Sequence, residues 1–192
     1  MIDIKLPVDE ETIRKLNVGD VVSISGVMMT ARDAAHKYMV EEPAPEVAEF
    51  LKDGMIYHCG PVIRKDDGKY SFVAAGPTTS IREEPYQATV MKKYGVRGVI
   101  GKGGMEGKTL AACKELGAVY LSAVGGLGTI LARSVKEVLT VEKLEEFGVP
   151  EAMWVIRVEN FPAVVTMDSH GRSIHDEVLA DSKKVYDRLI GD

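Results

Sequence analysis

The sequence predicts an α/β fold, a three-layer β/β/α sandwich built on a mixed sheet. Three observations carry this reading. The first third of the chain holds short apolar strands and a hairpin signal, helix and strand patterns alternate from residue 85 onward, and the last stretch is one long amphipathic helix. Hairpins give antiparallel pairing and βαβ units give parallel strands joined by right-handed crossovers.

In chain order, a short helix at Glu10–Leu16 leads through the turn Asn17-Val18-Gly19-Asp20 into Val21–Thr30, whose β-branched and small residues read as a buried strand. Arg32–Val40 is expected to be helical. Pro43 and Pro45 interrupt the chain before a second short helix, Glu46–Leu51. Met55–Cys59 reads as a strand, and Val62–Arg64 and Tyr70–Ala75 as a hairpin turning at Lys65-Asp66-Asp67-Gly68. Tyr86–Tyr94 is a helix stopped by Gly95, Val96–Ile100 a strand, Lys108–Leu116 a helix stopped by Gly117, and Ala118–Val124 a strand. Leu127–Val138 is predicted helical, Met153–Val158 and Ala163–Met167 are predicted to be two strands, and Ile174–Ile190 closes the chain as a helix.

Length and composition bound the function. A chain of 192 residues, 45% hydrophobic and 28% charged, suits one domain over residues 1–192 with a core that needs no disulfide or metal staple. A net charge of −5 leaves no concentrated basic surface, so nucleic acid is not an expected partner. Its two cysteines, Cys59 and Cys113, form no CxxC pair and exclude a disulfide framework or an iron–sulfur cluster held by this chain alone. The acidic start lacks the pattern of a signal peptide, and the uncharged run between Glu115 and Arg133 is broken by glycines. The expectation is a cytoplasmic protein without a membrane span.

Three loops join an apolar strand to a helix through small residues and carry a cation: Thr30-Ala31-Arg32-Asp33, Gly76-Pro77-Thr78-Thr79-Ser80-Ile81-Arg82, and Gly101-Lys102-Gly103-Gly104. In open α/β sheets ligands collect beyond the carboxyl ends of the strands. Two guanidiniums, an ammonium, hydroxyls and backbone amides suit a small anion, best a dicarboxylate held by bidentate arginines. Spacing alone leaves blander uses open. Taken alone, Arg32 or Arg82 fits a surface ion-pair partner better than a ligand clamp, and Thr78 or Thr79 fits a helix N-cap better than a site hydroxyl.

Other motifs fail on inspection. Lys102–Thr109 imitates a phosphate-binding loop but has lysine where the first glycine belongs. Gly125-Gly126-Leu127-Gly128 lacks the third glycine of a dinucleotide fingerprint and reads as a loop approaching a ligand or a neighbouring chain. His36, His58, His170 and His175 show no metal-ligand spacing, so no metal ligands are assigned; Asp168, His170, His175 and Asp176 read as a solvated loop before the last helix. Cys113 reads as a core thiol, and Cys59 as buried.

The motifs G-D-V-V-S-I-S-G with T-A-R-D-A-A-H, then H-C-G-P-V, A-A-G-P-T-T-S-I-R, G-V-I-G-K-G-G-M, Y-L-S-A-V-G-G and W-V-I-R-V-E-N-F-P-A-V-V-T-M-D-S-H-G follow one another along nearly the whole chain. In that order and spacing they resemble the β subunit, or C-terminal domain, of the class I iron–sulfur fumarases and L-tartrate dehydratases. The resemblance implies a swivelling β/β/α domain that works with a cysteine-bearing α subunit, whose three cysteines hold a [4Fe–4S] cluster with one iron open to substrate. It implies a hydro-lyase acting on a small dicarboxylate, fumarate and malate or tartrate, and an assembly that is a dimer of α–β pairs. Carried over by motif, the substrate-binding residues fall on Arg32, Arg82 and Lys102 and the base on Thr78; the choice of Thr78 over Thr79 comes from the family. The competing expectations are a stand-alone dicarboxylate-binding module and a structural subunit whose glycine loops only pack against a partner.

Overall fold

A computed structural model of the chain describes residues 1–191. Its main sheet has seven strands in the order β1 (Ile2–Lys5), β2 (Val21–Thr30), β3 (Met55–Tyr57), β6 (Gly98–Gly101), β7 (Val119–Ser122), β9 (Met153–Met167) and β8 (Val135–Glu142). The first five run parallel, while β9 is antiparallel to β2, β7 and β8. Because β9 pairs with β2 as well as with β7, the sheet closes on itself through β2, β3, β6, β7 and β9. The remaining strands, β4 (Val62–Asp66) and β5 (Lys69–Ala74), form the expected hairpin. Its turn needs Asp67 and Gly68, which both sit at positive φ (47° and 80°).

Alternation along the strands divides the interior into two cores. Met29, Val99, Tyr120, Met153 and Val155 face α2 (Asp33–Glu41), α3 (Pro45–Leu51), α4 (Glu84–Tyr94) and α5 (Gly107–Leu116), where Met39, Val47, Leu51, Val90, Met91 and Cys113 complete a buried layer. Their neighbours Met28, Ile100, Val119, Leu121, Trp154 and Ile156 face the other way, beneath the β4–β5 hairpin and β8. Tyr70 and Phe72 of the hairpin meet the buried Trp154 edge-on, at 5.2 and 6.1 Å between ring centres. A helical layer on one face and a β layer on the other is the architecture the sequence predicts.

Gly95 (φ 71°) and Gly117 (φ 64°) end α4 and α5 in the left-handed conformation, as expected. Three predicted elements need correction. Leu127–Val138 is not one helix: only Gly128–Ala132 (α6) is helical, and β8 begins at Val135. Two bulges in β8, between Val135 and Glu137 and between Val138 and Thr140, set Val135, Val138 and Val141 against the core three residues apart. That spacing imitates a helical stripe. The strands expected at Met153–Val158 and Ala163–Met167 are one, because Asn160 takes a positive φ of 52° and the chain keeps pairing with β2 past Pro162. The edge strand β1 and the short α7 (Leu144–Phe147) carry too little pattern to be read from sequence.

The first helix is α1 (Glu10–Arg14), and the last, α8 (Ile174–Ile190), is capped by Ser173 and buries none of its residues. Among the described residues no helix is long and apolar enough to cross a membrane.

Candidate active site at the carboxyl edge of the sheet

The parallel strands β2, β3, β6 and β7 end at one edge; the Arg32 and Lys102 loops leave from there, and the Gly76–Arg82 loop arrives from β5 of the hairpin. Backbone bonds lace them together. The Thr78 N–H donates to the His58 carbonyl at 2.7 Å, the Lys102 N–H to the Thr78 carbonyl at 3.2 Å, and the Ser80 N–H to the Lys102 carbonyl at 3.0 Å. Isolated bridges pair Cys59 with Pro77 and Thr79 with Lys102. Thr78 is thereby held between the ends of β3 and β6.

Lys102 projects into solvent from a loop whose Gly103 and Gly104 both have φ of 82°, a conformation strained for any residue with a side chain. A Cβ at Gly104 would also stand 2.6 Å from the His175 ring. The Gly125–Gly128 loop, expected to approach a ligand or a neighbour, runs beside the Lys102 stem, with a Cβ at Gly125 reaching 3.7 Å from its Cδ.

Arg32 precedes α2. Its Nη2 lies 3.2 Å from Glu151 Oε1, while Glu151 Oε2 accepts the Ala34 N–H at 3.1 Å. The guanidinium crosses the backbone at Gly60, where a Cβ would come within 2.7 Å of Arg32 Nη1. Arg32 Nε is buried with no acceptor.

Arg82 lies on the 3-10 turn Ser80–Glu83 and pairs with Asp33 Oδ2, its side chain 51% exposed. Asp33 links it to the loop that carries Arg32. Beneath this pair Glu83 is fully buried, and both its oxygens and Asp33 Oδ1 lack a donor. Burial, then hydrogen bonding to Asp33, pushes the Glu83 carboxyl up to about 8, so at neutral pH it is an acid that donates to Asp33. Asp33 is opposed first by its own desolvation, yet Glu83 and Arg82 hold its carboxyl below the usual range.

All four sequence-predicted residues, Arg32, Thr78, Arg82 and Lys102, therefore sit on this edge. Sequence reading missed Asp33, Glu83 and Glu151. The first two adjoin Arg32 and Arg82 and look like ordinary first-turn acids of a helix, whereas Glu151 comes from a loop more than 110 residues away and leaves no local signal.

Two rejected motifs take structural roles. At the start of α5, where the imitation phosphate loop leads, the Glu84 carboxylate accepts the N–H groups of Glu106, Lys108 and Thr109 and the Thr109 hydroxyl at 2.6–3.2 Å. The loop before α8 is not solvated throughout. Asp168 is buried and accepts from the N–H groups of Val18, His170 and Arg172.

Cys59 and Cys113 are both buried, one in each core, and desolvation pushes both thiols up to about 12. Among the described residues no three His, Cys, Asp or Glu side chains gather as a metal site. This donor set does not fit an iron–sulfur cluster, which needs several thiolates converging on one place, whereas these two thiols lie in separate cores.

The family model described as Fumarase C-terminus matches residues 1–178. A protein of Geobacillus stearothermophilus named fumarate hydratase class I is 55% identical over 183 residues, covering 95% of this chain but 35% of that protein. A protein of Methanocaldococcus jannaschii named L(+)-tartrate dehydratase subunit beta is 42% identical, covering 94% of this chain and 92% of its own length. The L(+)-tartrate dehydratase subunit beta of Escherichia coli (strain K12) is 34% identical, covering 94% and 87%. The chain thus spans about a third of the Geobacillus relative and nearly all of the two dehydratase subunits. On a match that takes in every loop of the carboxyl edge, this chain belongs to the Fumarase C-terminus family.

Proposed function

We propose that this chain is the β-type part of a two-part hydro-lyase that adds water reversibly to fumarate, giving L-malate, and that its carboxyl edge grips the substrate carboxylates. The observation that carries this is the buried Arg32 Nε, a donor without an acceptor beside Glu151, on the edge that also carries Arg82 and Lys102. An unpaired buried donor is costly, and a substrate carboxylate supplies the missing oxygen.

In this reading Arg32, Arg82 and Lys102 bind the two carboxylates and stabilise the charge that accumulates on one of them as the neighbouring C–H bond breaks. Thr78 takes that proton. A threonine does so only where cations and amide donors stabilise its alkoxide, and the loops supply both. Glu83 and Asp33 orient Arg82 from below.

A [4Fe–4S] cluster, the cofactor of class I enzymes, belongs in this reading to a cysteine-bearing α subunit, because the thiols of this chain do not fit it. Two relatives are named as beta subunits, and this chain matches a third of the Geobacillus protein. We place the assembly in the cytoplasm, consistent with two free buried cysteines, and read it as a dimer of α–β pairs. Tartrate is the second substrate reading, favoured by the names of the relatives that match over most of their length.

The test is anaerobic co-expression with a cysteine-bearing α subunit and assay on fumarate, L-malate and both tartrates. Turnover of fumarate well above tartrate supports the proposal. Turnover of tartrate alone replaces it with the second reading, and dicarboxylate binding by this chain with no turnover by the pair identifies a binding module instead.

A further inference from the structure

Behind the three loops lies a run of buried polar side chains that the proposed chemistry does not use. His36 on α2, His58 after β3, Ser80 and Gln87 on α4 are all fully buried. His36 Nδ1 lies 2.9 Å from the Arg32 carbonyl oxygen. His36 Nε2 and His58 Nε2 lie 2.9 and 2.8 Å from the same terminal atom of the Gln87 amide. His58 Nδ1 is 2.9 Å from Ser80 Oγ, which also accepts the Tyr120 hydroxyl at 2.9 Å. The run thus ties the Arg32 carbonyl to Ser80, two residues from Thr78 and bonded through its N–H to the Lys102 carbonyl.

One contact fixes every proton in it. A carbonyl oxygen only accepts, so His36 Nδ1 carries hydrogen. His36 is buried with a second imidazole 5.0 Å away, a place where a second proton and its charge are disfavoured. His36 Nε2 is therefore bare and needs a donor. With the Gln87 oxygen facing the two rings that donor is missing, and the amide nitrogen is left buried without any partner. Exchanging the amide's oxygen and nitrogen, which have nearly the same shape, gives His36 Nε2 its donor and the amide nitrogen its acceptors, and moves the oxygen to the nitrogen's former place. The two amide hydrogens then serve the two Nε2 atoms, and His58 in turn carries its proton on Nδ1, toward Ser80.

We infer that His36, Gln87 and His58 form a charge-neutral strut in which the Gln87 amide nitrogen donates to both rings and both rings hold their proton on Nδ1, and that this strut sets the spacing of the Arg32, Thr78 and Lys102 loops. Its functional half rests on the reading of those loops as the carboxylate clamp. Burial, the leading cause, holds both imidazoles below their ordinary range, in keeping with neutral rings. These are positioning residues, since none of them reaches the edge where substrate would lie.

The experiment has two arms. Long-range proton–nitrogen correlation spectra of the full chain, labelled with ¹⁵N-histidine and carrying His170→Gln and His175→Gln to remove the other two histidines, read both tautomers at neutral pH. Two Nδ1–H rings are expected. An Nε2–H ring at His58, or a charged His36, overturns the strut. In the second arm the α–β pair carries Gln87→Glu, whose carboxylate has the same shape but only accepts. The expected result is a shift of at least one ring to Nε2–H together with a loss of about tenfold or more in kcat/KM on the dicarboxylate. If the tautomer shifts and kcat/KM stays within about twofold, the positioning role is overturned. Where Gln87→Glu does not fold, Ser80→Ala, which removes the acceptor of the His58 proton, carries the kinetic arm with the same two outcomes. Expected tautomers in a wild-type pair inactive on every dicarboxylate would sink the proposed function and the positioning role and leave the strut itself standing.

Discussion

The buried Glu83 carboxyl lies against Asp33, whose other oxygen holds Arg82. An acid, a carboxylate and a guanidinium thus sit in series at the edge of the site, and their ionisation is linked to folding.

Burial and the neighbouring Asp33 raise the Glu83 carboxyl from its ordinary range to about 8 in the folded chain. Between that range and about 8 the native state binds a proton that the unfolded state does not. Stability therefore falls as pH rises through that window and levels off above about 8, an effect on the order of a few kcal/mol at most. Glu83→Gln, which keeps the donor to Asp33 and cannot ionise, is expected to lose this slope. Thermal midpoints of the two proteins from pH 5 to pH 9 check it: the variant gains on wild type as pH rises, and a constant difference would contradict the assignment.

Arg82→Ala removes a carboxylate donor and frees Asp33 from its partner. In the assembled enzyme kcat/KM on the dicarboxylate is expected to fall about 10²-fold or more. Arg82→Lys restores the charge but not the two-pronged geometry and recovers only a small part. Steady-state kinetics that leave Arg82→Ala near wild type would remove it from the clamp.

Thr78→Ala is expected to abolish exchange of the malate C3 proton with solvent while malate still binds, and Thr78→Ser to retain measurable exchange. Proton NMR in deuterium oxide reads this directly. Exchange that survives in Thr78→Ala takes the base role away from this residue.

A Cβ at Gly101 would overlap Ser80 Oγ and stand 3.2 Å from both His58 Nδ1 and the Tyr120 hydroxyl. All three neighbours are buried, so they have little room to yield. Gly101→Ala is expected to cost about 1–3 kcal/mol, lowering the thermal midpoint by roughly 2–10 °C. A midpoint unchanged within a degree would mean that the loops around Gly101 shift freely.

Much of the fold is legible in the residues because local rules suffice there. Gly95 and Gly117 stop their helices, Asp67-Gly68 turns the hairpin, and β-branched residues mark β2. The candidate edge is legible in part for the same reason: Arg32 and Lys102 each lie in a short loop directly after a strand, while Arg82 sits on a 3-10 turn beyond the hairpin. Where local rules compete, the residues mislead. The two bulges of β8 set its inward valines three apart, and a left-handed Asn160 carries β9 through a segment that looks like a break.

The sequence by itself thus determined the layers and the edge on which the cations gather. Only the tertiary structure decided what faces those cations. Glu151 reaches Arg32 from another loop, Glu83 turns inward to meet Asp33, and one glutamine stands between two histidines from different elements. Sequence spacing reports which residues share a strand or a helix face. A buried acid or imidazole is shaped by neighbours drawn from distant parts of the chain, and those neighbours are set only once the sheet has closed.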